Sequence, residues 1–198
     1  VITALIENLG NIQHANEAMN ALILIGEPAL TLLDSSFYRS GQASPVMLRL
    51  VKIIGAIGET RAKEMLWNKI DYPDKVIVSE VLLALGESGF KAGMSQVSRI
   101  KNAIEADIAD ITWNLGAIQE IGDEEVSAVV RRALNREMQN DVEHIYMLLA
   151  MLYDTRSIQL VKENIESGTA EGVTYAVELM DVFLSEQLKQ QVIPVIDD

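Results

Sequence analysis

The residues that could bind a metal ion or transfer a proton are few in this sequence. Asp107 and Asp110 have helical spacing and could share one face, but two carboxylates are far short of the about six to eight oxygens that calcium needs. Asp141 precedes His144 by one helical turn and could pair with its imidazole. His14 lies in an Asn-rich connection that reads as an exposed loop. We therefore predict no metal site, no cofactor, and a hydrogen-bonding role for His144.

The composition excludes most other site chemistry. The chain has no cysteine, which rules out disulfides, thiolate metal sites and cysteine nucleophiles, and two histidines are too few for a multi-histidine centre. The sequence contains no nucleophile elbow, phosphate loop, zinc-protease or dinucleotide-binding motif. Its net charge of −13 disfavours binding to phosphate backbones and anionic lipid. The sequence therefore predicts a protein that is not an enzyme and does not bind nucleic acid.

The length and the apolar content predict a single domain over residues 1–198. Hydrophobic residues make up 49% of the chain, which is ample for a core. The longest apolar run, Ile145 to Tyr153, is well short of the roughly 20 residues that span a bilayer. The chain begins at Val1 without a basic leader. We expect a fragment of a longer protein, and one that does not itself span a membrane.

A short pattern recurs along the chain: an apolar stretch, Leu or Ile with Gly, an acidic residue, and a second apolar stretch. The turn positions follow one another at steps near 31 residues, and they are Gly26, Gly58, Gly86, Gly122, Tyr153 and Leu184. The apolar residues within each stretch have helical spacing, as Val126, Val129 and Val130 do, and no stretch alternates with a strand period. The sequence predicts an all-α superhelix, or solenoid, of about six helix pairs with no sheet.

The residue after each turn has a structural role in this interpretation. Glycine can take the left-handed conformation that ends a helix, and the acidic residue after it can cap the next helix. This capping position is predicted for Glu27, Glu59, Glu87, Asp123, Asp154 and Ser185. The row of acidic residues is thus interpreted as a set of helix caps, in preference to a series of cation sites.

On these turns the chain resembles the HEAT-repeat family in its short bacterial form, which has an armadillo-like helical architecture. The resemblance covers most of the chain and rests on the four Leu/Ile-Gly-acid turns; it departs at Tyr153 and Leu184, where the glycine is lost. It implies an α-solenoid that serves protein binding or scaffolding.

The last third of the chain, from Leu152 onward, resembles a segment of large bacterial membrane proteins. In those proteins a nucleotide-translocase-like membrane domain is followed by HEAT repeats and a cyclic-nucleotide-binding domain. The residues that carry the resemblance are Asn164, Ile165, Ser167, Gly168, Glu171, Tyr175, Ala176, Glu178, Leu179 and Asp181. This resemblance implies a cytoplasmic spacer or regulatory segment, tethered to the inner membrane through a parent protein that transports nucleotides such as ATP and ADP.

Charge is unevenly distributed over the predicted helices. The first helices of the later pairs contain acidic residues and no basic ones: Glu80, Asp107, Asp110, Glu120, Asp141, Glu143, Glu171, Glu178 and Asp181. Most basic residues fall on the second helices. We predict that Arg99, Arg131 and Arg132 on the second-helix surface contact a partner, against the alternative of a solvated face with incidental charge.

The favoured function is a non-enzymatic protein-interaction or regulatory module. Its partner would be another protein or the neighbouring domains of the same chain. The alternative is an autonomous solenoid enzyme or a nucleic-acid-handling protein, which the acidic charge and the missing motifs disfavour.

Overall fold

The computed structural model describes residues 1–121 and 125–196, and these residues form α-helices and no strand. The chain divides into two compact units, residues 1–90 and 91–198. The helices of the first unit are α1 Ile2–Asn8, α2 Ala15–Ile25, α3 Leu30–Phe37, α4 Ser44–Ile57, α5 Thr60–Trp67 and α6 Lys75–Glu87. Those of the second unit are α7 Val97–Glu120, α8 Glu125–Leu152, α9 Thr155–Glu166, α10 Ala170–Phe183 and α11 Glu186–Ile196. The prediction of an all-α chain without a sheet is confirmed for the described residues.

Two predicted glycine turns form in the first unit. Gly26 follows α2 with a φ of 70°, and Gly58 follows α4 with a φ of 67°, a backbone region that favours glycine. Gly86 lies inside α6 instead, and the glycine with positive φ after that helix is Gly89. The third turn therefore lies three residues later than the repeat pattern predicts.

Helix α4 is the centre of the first core. Its side chains at Leu50, Val51 and Ile54 are fully buried against the neighbouring helices. A Cβ at Gly55 would lie 2.8 Å from the Cβ of Ala84 on α6. The absence of a side chain at Gly55 therefore lets α4 and α6 approach closely.

The second unit is built on two long helices, where the repeat pattern predicts four shorter ones. Helix α7 has 24 residues and α8 has 28, and contacts between Arg131 and Ile121 and between His144 and Asp107 show that they run antiparallel. The segment between Lys101 and Asp107 contains no glycine or proline, and neither does α8, so nothing in the local sequence ends a helix there. Between residues 97 and 152 the structure therefore has one long helical hairpin where the pattern of six helix pairs requires four helices.

Helix capping agrees with the prediction at one position and differs at others. Asp154 caps α9 by accepting a hydrogen bond from the Ser157 amide at 2.8 Å, and this bond lowers the pKa of its carboxyl below the ordinary value. Glu59 stands at the start of α5, but its side chain makes no capping bond. Glu27 opens a short 3-10 helix and Glu87 ends α6. Ser185 lies just before α11, Asp123 lies outside the described residues, and two caps that were not predicted are Asp74 and Thr169.

Among the described residues, no helix is both long enough and apolar enough to cross a membrane. This agrees with the expectation from the short apolar runs in the sequence.

Candidate functional site

A cluster of ionisable side chains is buried between α7 and α8. Asp107 comes from α7, while Asp141 and His144 come from α8, and the three are only 5%, 4% and 1% exposed. One oxygen or nitrogen atom from each of them lies within 4.8 Å of the other two. The distance from His144 Nδ1 to Asp107 Oδ1 is 3.7 Å. Two carboxylates and an imidazole are therefore held together away from water.

The helical register explains why these polar groups are buried. On α7 the buried side chains Ile100, Ile104, Asp107 and Ile111 follow one another at steps of three or four residues, so Asp107 occupies a core position. The carboxylate that was paired with it in the sequence, Asp110, is exposed. The helical spacing of Asp107 with Ile100, Ile104 and Ile111 was the feature of the sequence that indicated its burial. In the sequence Asp107 was considered only together with Asp110, so this feature was not used.

The second histidine has a different environment. His14 stands just before α2, and its side chain is exposed, as the Asn-rich connection predicted. The two histidines of the chain therefore differ sharply in exposure, and only His144 belongs to a cluster of possible metal ligands among the described residues.

A groove of about 850 Å³ lies between α7, α8, α9 and α11. Its apolar lining comes from Ile111, Leu115, Met138, Val142, Ile165, Val195 and Ile196, and its polar lining from Asn135, Gln139, Asn140, Glu143, Tyr146 and Glu166. A groove of this volume, with mainly apolar walls and a few polar groups, is typical of ligand and peptide sites.

Tyr146 is the buried polar group of the groove. Its side chain is 5% exposed, and its hydroxyl has no hydrogen-bond partner among the described residues. Burial raises the pKa of this hydroxyl above the ordinary value, and the nearby Glu166 and Glu143 carboxylates raise it further. Tyr146 therefore stays protonated and can donate a hydrogen bond to a bound molecule.

Replacing Tyr146 with phenylalanine is expected to stabilise the protein by about 1 kcal/mol at neutral pH, because a buried hydroxyl without a partner costs about 1–3 kcal/mol. The folded state holds the tyrosine proton above pH 10, where the unfolded state releases it, so the wild type should lose stability there relative to the variant. Urea denaturation at neutral and alkaline pH measures both effects. A less stable variant at neutral pH would show that the hydroxyl makes a favourable bond in the free protein.

The rim of the groove is acidic, and one lysine partly neutralises its negative charge. Lys162 Nζ lies 2.6 Å from Glu143 Oε2 and 3.8 Å from Glu166 Oε1. These three groups leave one net negative charge at the rim. A partner with basic residues beside its apolar face would complement this charge.

The arginines predicted to contact a partner do not form one compact patch. Arg131 donates a hydrogen bond at 3.1 Å to the carbonyl of Ile121, just after α7 ends, and so satisfies a helix-terminal acceptor. Arg99 is near the other end of α7, so about 33 Å of helix separate the two. Arg132 is exposed on α8. Partner binding by these residues stays a prediction.

The separation of acidic and basic residues onto different helices is not found here. Arg99 and Asp107 share α7, and Arg131 and Asp141 share α8. Lys91, another of the basic residues, donates to the carbonyl of Tyr153 at 2.8 Å beyond the end of α8. The continuous helices therefore carry both signs of charge, and acidic and basic residues are not separated by helix in this region.

Searches for related proteins find no family model, curated protein or solved structure that matches this chain. The described residues define an all-α protein whose second unit contains a buried Asp–Asp–His cluster and an apolar groove with a buried tyrosine hydroxyl.

Proposed function

We propose that this chain is a non-enzymatic protein-interaction module that binds an amphipathic, basic helix of a partner protein in the groove between α7, α8, α9 and α11. The observation that carries the proposal is the apolar groove with the Tyr146 hydroxyl as a buried donor. Helix-in-groove binding uses apolar anchors at helical spacing. The net charge of −13 and the acidic rim favour a basic partner.

The test uses helical peptides selected from a displayed library against the whole chain, with affinity measured by fluorescence anisotropy. Leu115 lines the groove and is 39% exposed, so Leu115→Glu introduces a charge without emptying the core. We expect it to weaken binding at least about tenfold, as truncating a hot-spot contact does. The matched control is Val129→Glu on α8, at a side chain 58% exposed and outside the groove lining, which should leave affinity unchanged.

The Tyr146→Phe variant separates binding from folding. The hydroxyl should contribute about 2- to 10-fold in affinity if it donates to the peptide, while its loss stabilises the free protein. Peptides that bind Leu115→Glu and the wild type equally would refute the groove as the site.

The arginine prediction is tested in the same assay. Arg99→Glu and Arg132→Glu are combined, and Arg131 is kept because it bonds to Ile121. If this double variant loses binding at low salt and Leu115→Glu does not, the partner contacts the basic residues and the groove is not the site.

Two finer proposals rest on the sequence. The turns after α2 and α4, together with the helix–turn–helix over α10 and α11, support a HEAT-like repeat architecture in which neighbouring domains of the chain serve as partners.

The resemblance of the last third supports a cytoplasmic regulatory segment of a nucleotide-transporter-like protein. The coding sequence on either side tests this: upstream segments of about 20 apolar residues would support it, and a complete frame without them would refute it.

A further inference from the structure

The buried cluster on α7 and α8 has the composition of a metal site. Asp141 and His144 have the i, i+3 spacing by which carboxylate and histidine ligands share one helix face in metal-binding helical bundles. Asp107 faces them from the antiparallel helix. Both helices are long and regular, so the three side chains are positioned by rigid elements.

The distances within the cluster are compatible with three ligands of one small cation. The 3.7 Å between His144 Nδ1 and Asp107 Oδ1 is too long for a hydrogen bond. Tetrahedral zinc, with bonds of about 2.0–2.1 Å, holds its ligand atoms about 3.3 Å apart. The three ligand atoms lie within 4.8 Å of one another, so side-chain movements of about an ångström would bring them to that geometry.

The burial of the cluster gives an electrostatic reason for a cation. Burying ionised carboxylates costs free energy unless positive charge or hydrogen bonds compensate them, and Asp107 and Asp141 are only 5% and 4% exposed. A divalent ion would neutralise both carboxylates and use the imidazole as a neutral ligand.

We propose that Asp107, Asp141 and His144 bind one zinc ion. Imidazole together with carboxylate is a ligand set that zinc accepts readily, whereas calcium and magnesium prefer oxygen ligands alone. Three protein ligands leave a fourth position for water or another donor. This site is independent of the groove proposed for partner binding, since none of its three residues lines that groove.

The decisive experiment uses the fact that the chain has only two histidines. In a His14→Ala chain, His144 supplies the one remaining imidazole, and the proposed ligands are all intact. The chain is labelled with ¹⁵N, stripped with chelator, and titrated to equilibrium with zinc chloride. We expect the imidazole nitrogen signals to shift and to saturate at one zinc per chain. Signals that do not respond to equimolar zinc would overturn the proposal.

Variants of near-equal size test the ligand set by isothermal titration with zinc chloride. His144→Gln and Asp107→Asn should each weaken binding by more than about 100-fold, since even changes beyond the ligands themselves cost about 10- to 100-fold. Asp110→Asn, one turn away and exposed, is the matched control and should leave affinity unchanged. Equal loss in Asp110→Asn and Asp107→Asn would indicate diffuse binding to surface acids and overturn the site.

Discussion

Replacing Asp34 with alanine is expected to lower the free energy of unfolding by about 3 kcal/mol, because it leaves a buried ammonium without its counter-ion. The Lys69 side chain is fully buried in the first unit. Its Nζ donates to the Asp34 carboxylate and, at 3.0 Å, to the carbonyl of Met65. The same ammonium lies 4.9 Å from the Phe37 ring centroid and 4.8 Å from that of Tyr38. Urea denaturation of the wild type and the variant measures the loss.

Replacing the lysine of this ion pair has a different expected result from replacing the aspartate. Lys69→Met keeps the length of the side chain, and the Asp34 carboxylate that remains is 31% exposed and can be hydrated. We expect a loss well below that of Asp34→Ala, because apolar replacement of a buried ion pair is often close to neutral. The double variant should resemble Lys69→Met. An Asp34→Ala protein within about 1 kcal/mol of the wild type would show that the rings and Met65 suffice to hold the ammonium.

The pKa of Lys69 gives the same experiment a pH dependence. Burial lowers this pKa below 10.5, while the bond and the charge of Asp34 raise it in opposition. Between the lowered pKa and 10.5 the unfolded state binds more protons, so the contribution of Lys69 to stability rises with pH. This rise should be larger in Asp34→Ala, which lacks the opposing carboxylate, and absent in Lys69→Met.

Replacing Gly172 with alanine should lower the free energy of unfolding by about 2–3 kcal/mol, through overpacking and loss of a helix cap. A Cβ at this position would lie 2.6 Å from the carbonyl oxygen of Asn164 and would overlap Ser167 Oγ at the end of α9. It would also lie 2.9 Å from Thr169 Oγ1, which caps α10 by accepting from the Gly172 amide. A backbone carbonyl cannot rotate away, so α10 must move from α9.

The control for this substitution is a second helical glycine in the same unit. Gly116 lies within α7, and apart from its chain neighbours and the local helix backbone no described atom is within 4 Å of the position its Cβ would take. Gly116→Ala should therefore raise stability by up to about 1 kcal/mol through helix propensity alone. Thermal unfolding of both variants compares them directly. Equal stability of Gly172→Ala and the wild type would show that α9 and α10 can separate at little cost.

Local features of the sequence were sufficient to predict the helices and several of their ends. The turns at Gly26 and Gly58 and the cap at Asp154 each depend on residues within a few positions, so they can be recognised without knowing what packs against them. Helical spacing of apolar residues likewise identified an all-α chain. The third turn was misplaced because two glycines, Gly86 and Gly89, lie close together, and the later one takes the left-handed conformation.

The repeat spacing predicted helix ends less accurately than local sequence features did. Aligning the chain at steps near 31 residues requires helix ends within residues 97–120 and 125–152, where the structure has two continuous helices. No glycine or proline interrupts the segment before Asp107, and once a helix has begun, each added residue gains a hydrogen bond. Acidic and basic residues that the repeat pattern assigned to separate helices therefore share α7 and α8. Arg99 and Arg131, which were predicted to lie on one surface, are near opposite ends of α7.

The sequence by itself determined the helical class and the acidic charge. It also determined that Asp141 and His144 lie one turn apart on the same helix. Only the tertiary structure decided that Asp107 joins them, because the contact spans the α7–α8 hairpin and depends on the register of two helices. The same holds for the groove that contains the Tyr146 hydroxyl, whose lining comes from four helices. Helical spacing relates residues within one turn, whereas contacts between distant segments arise from the packing of whole faces, which no local pattern encodes.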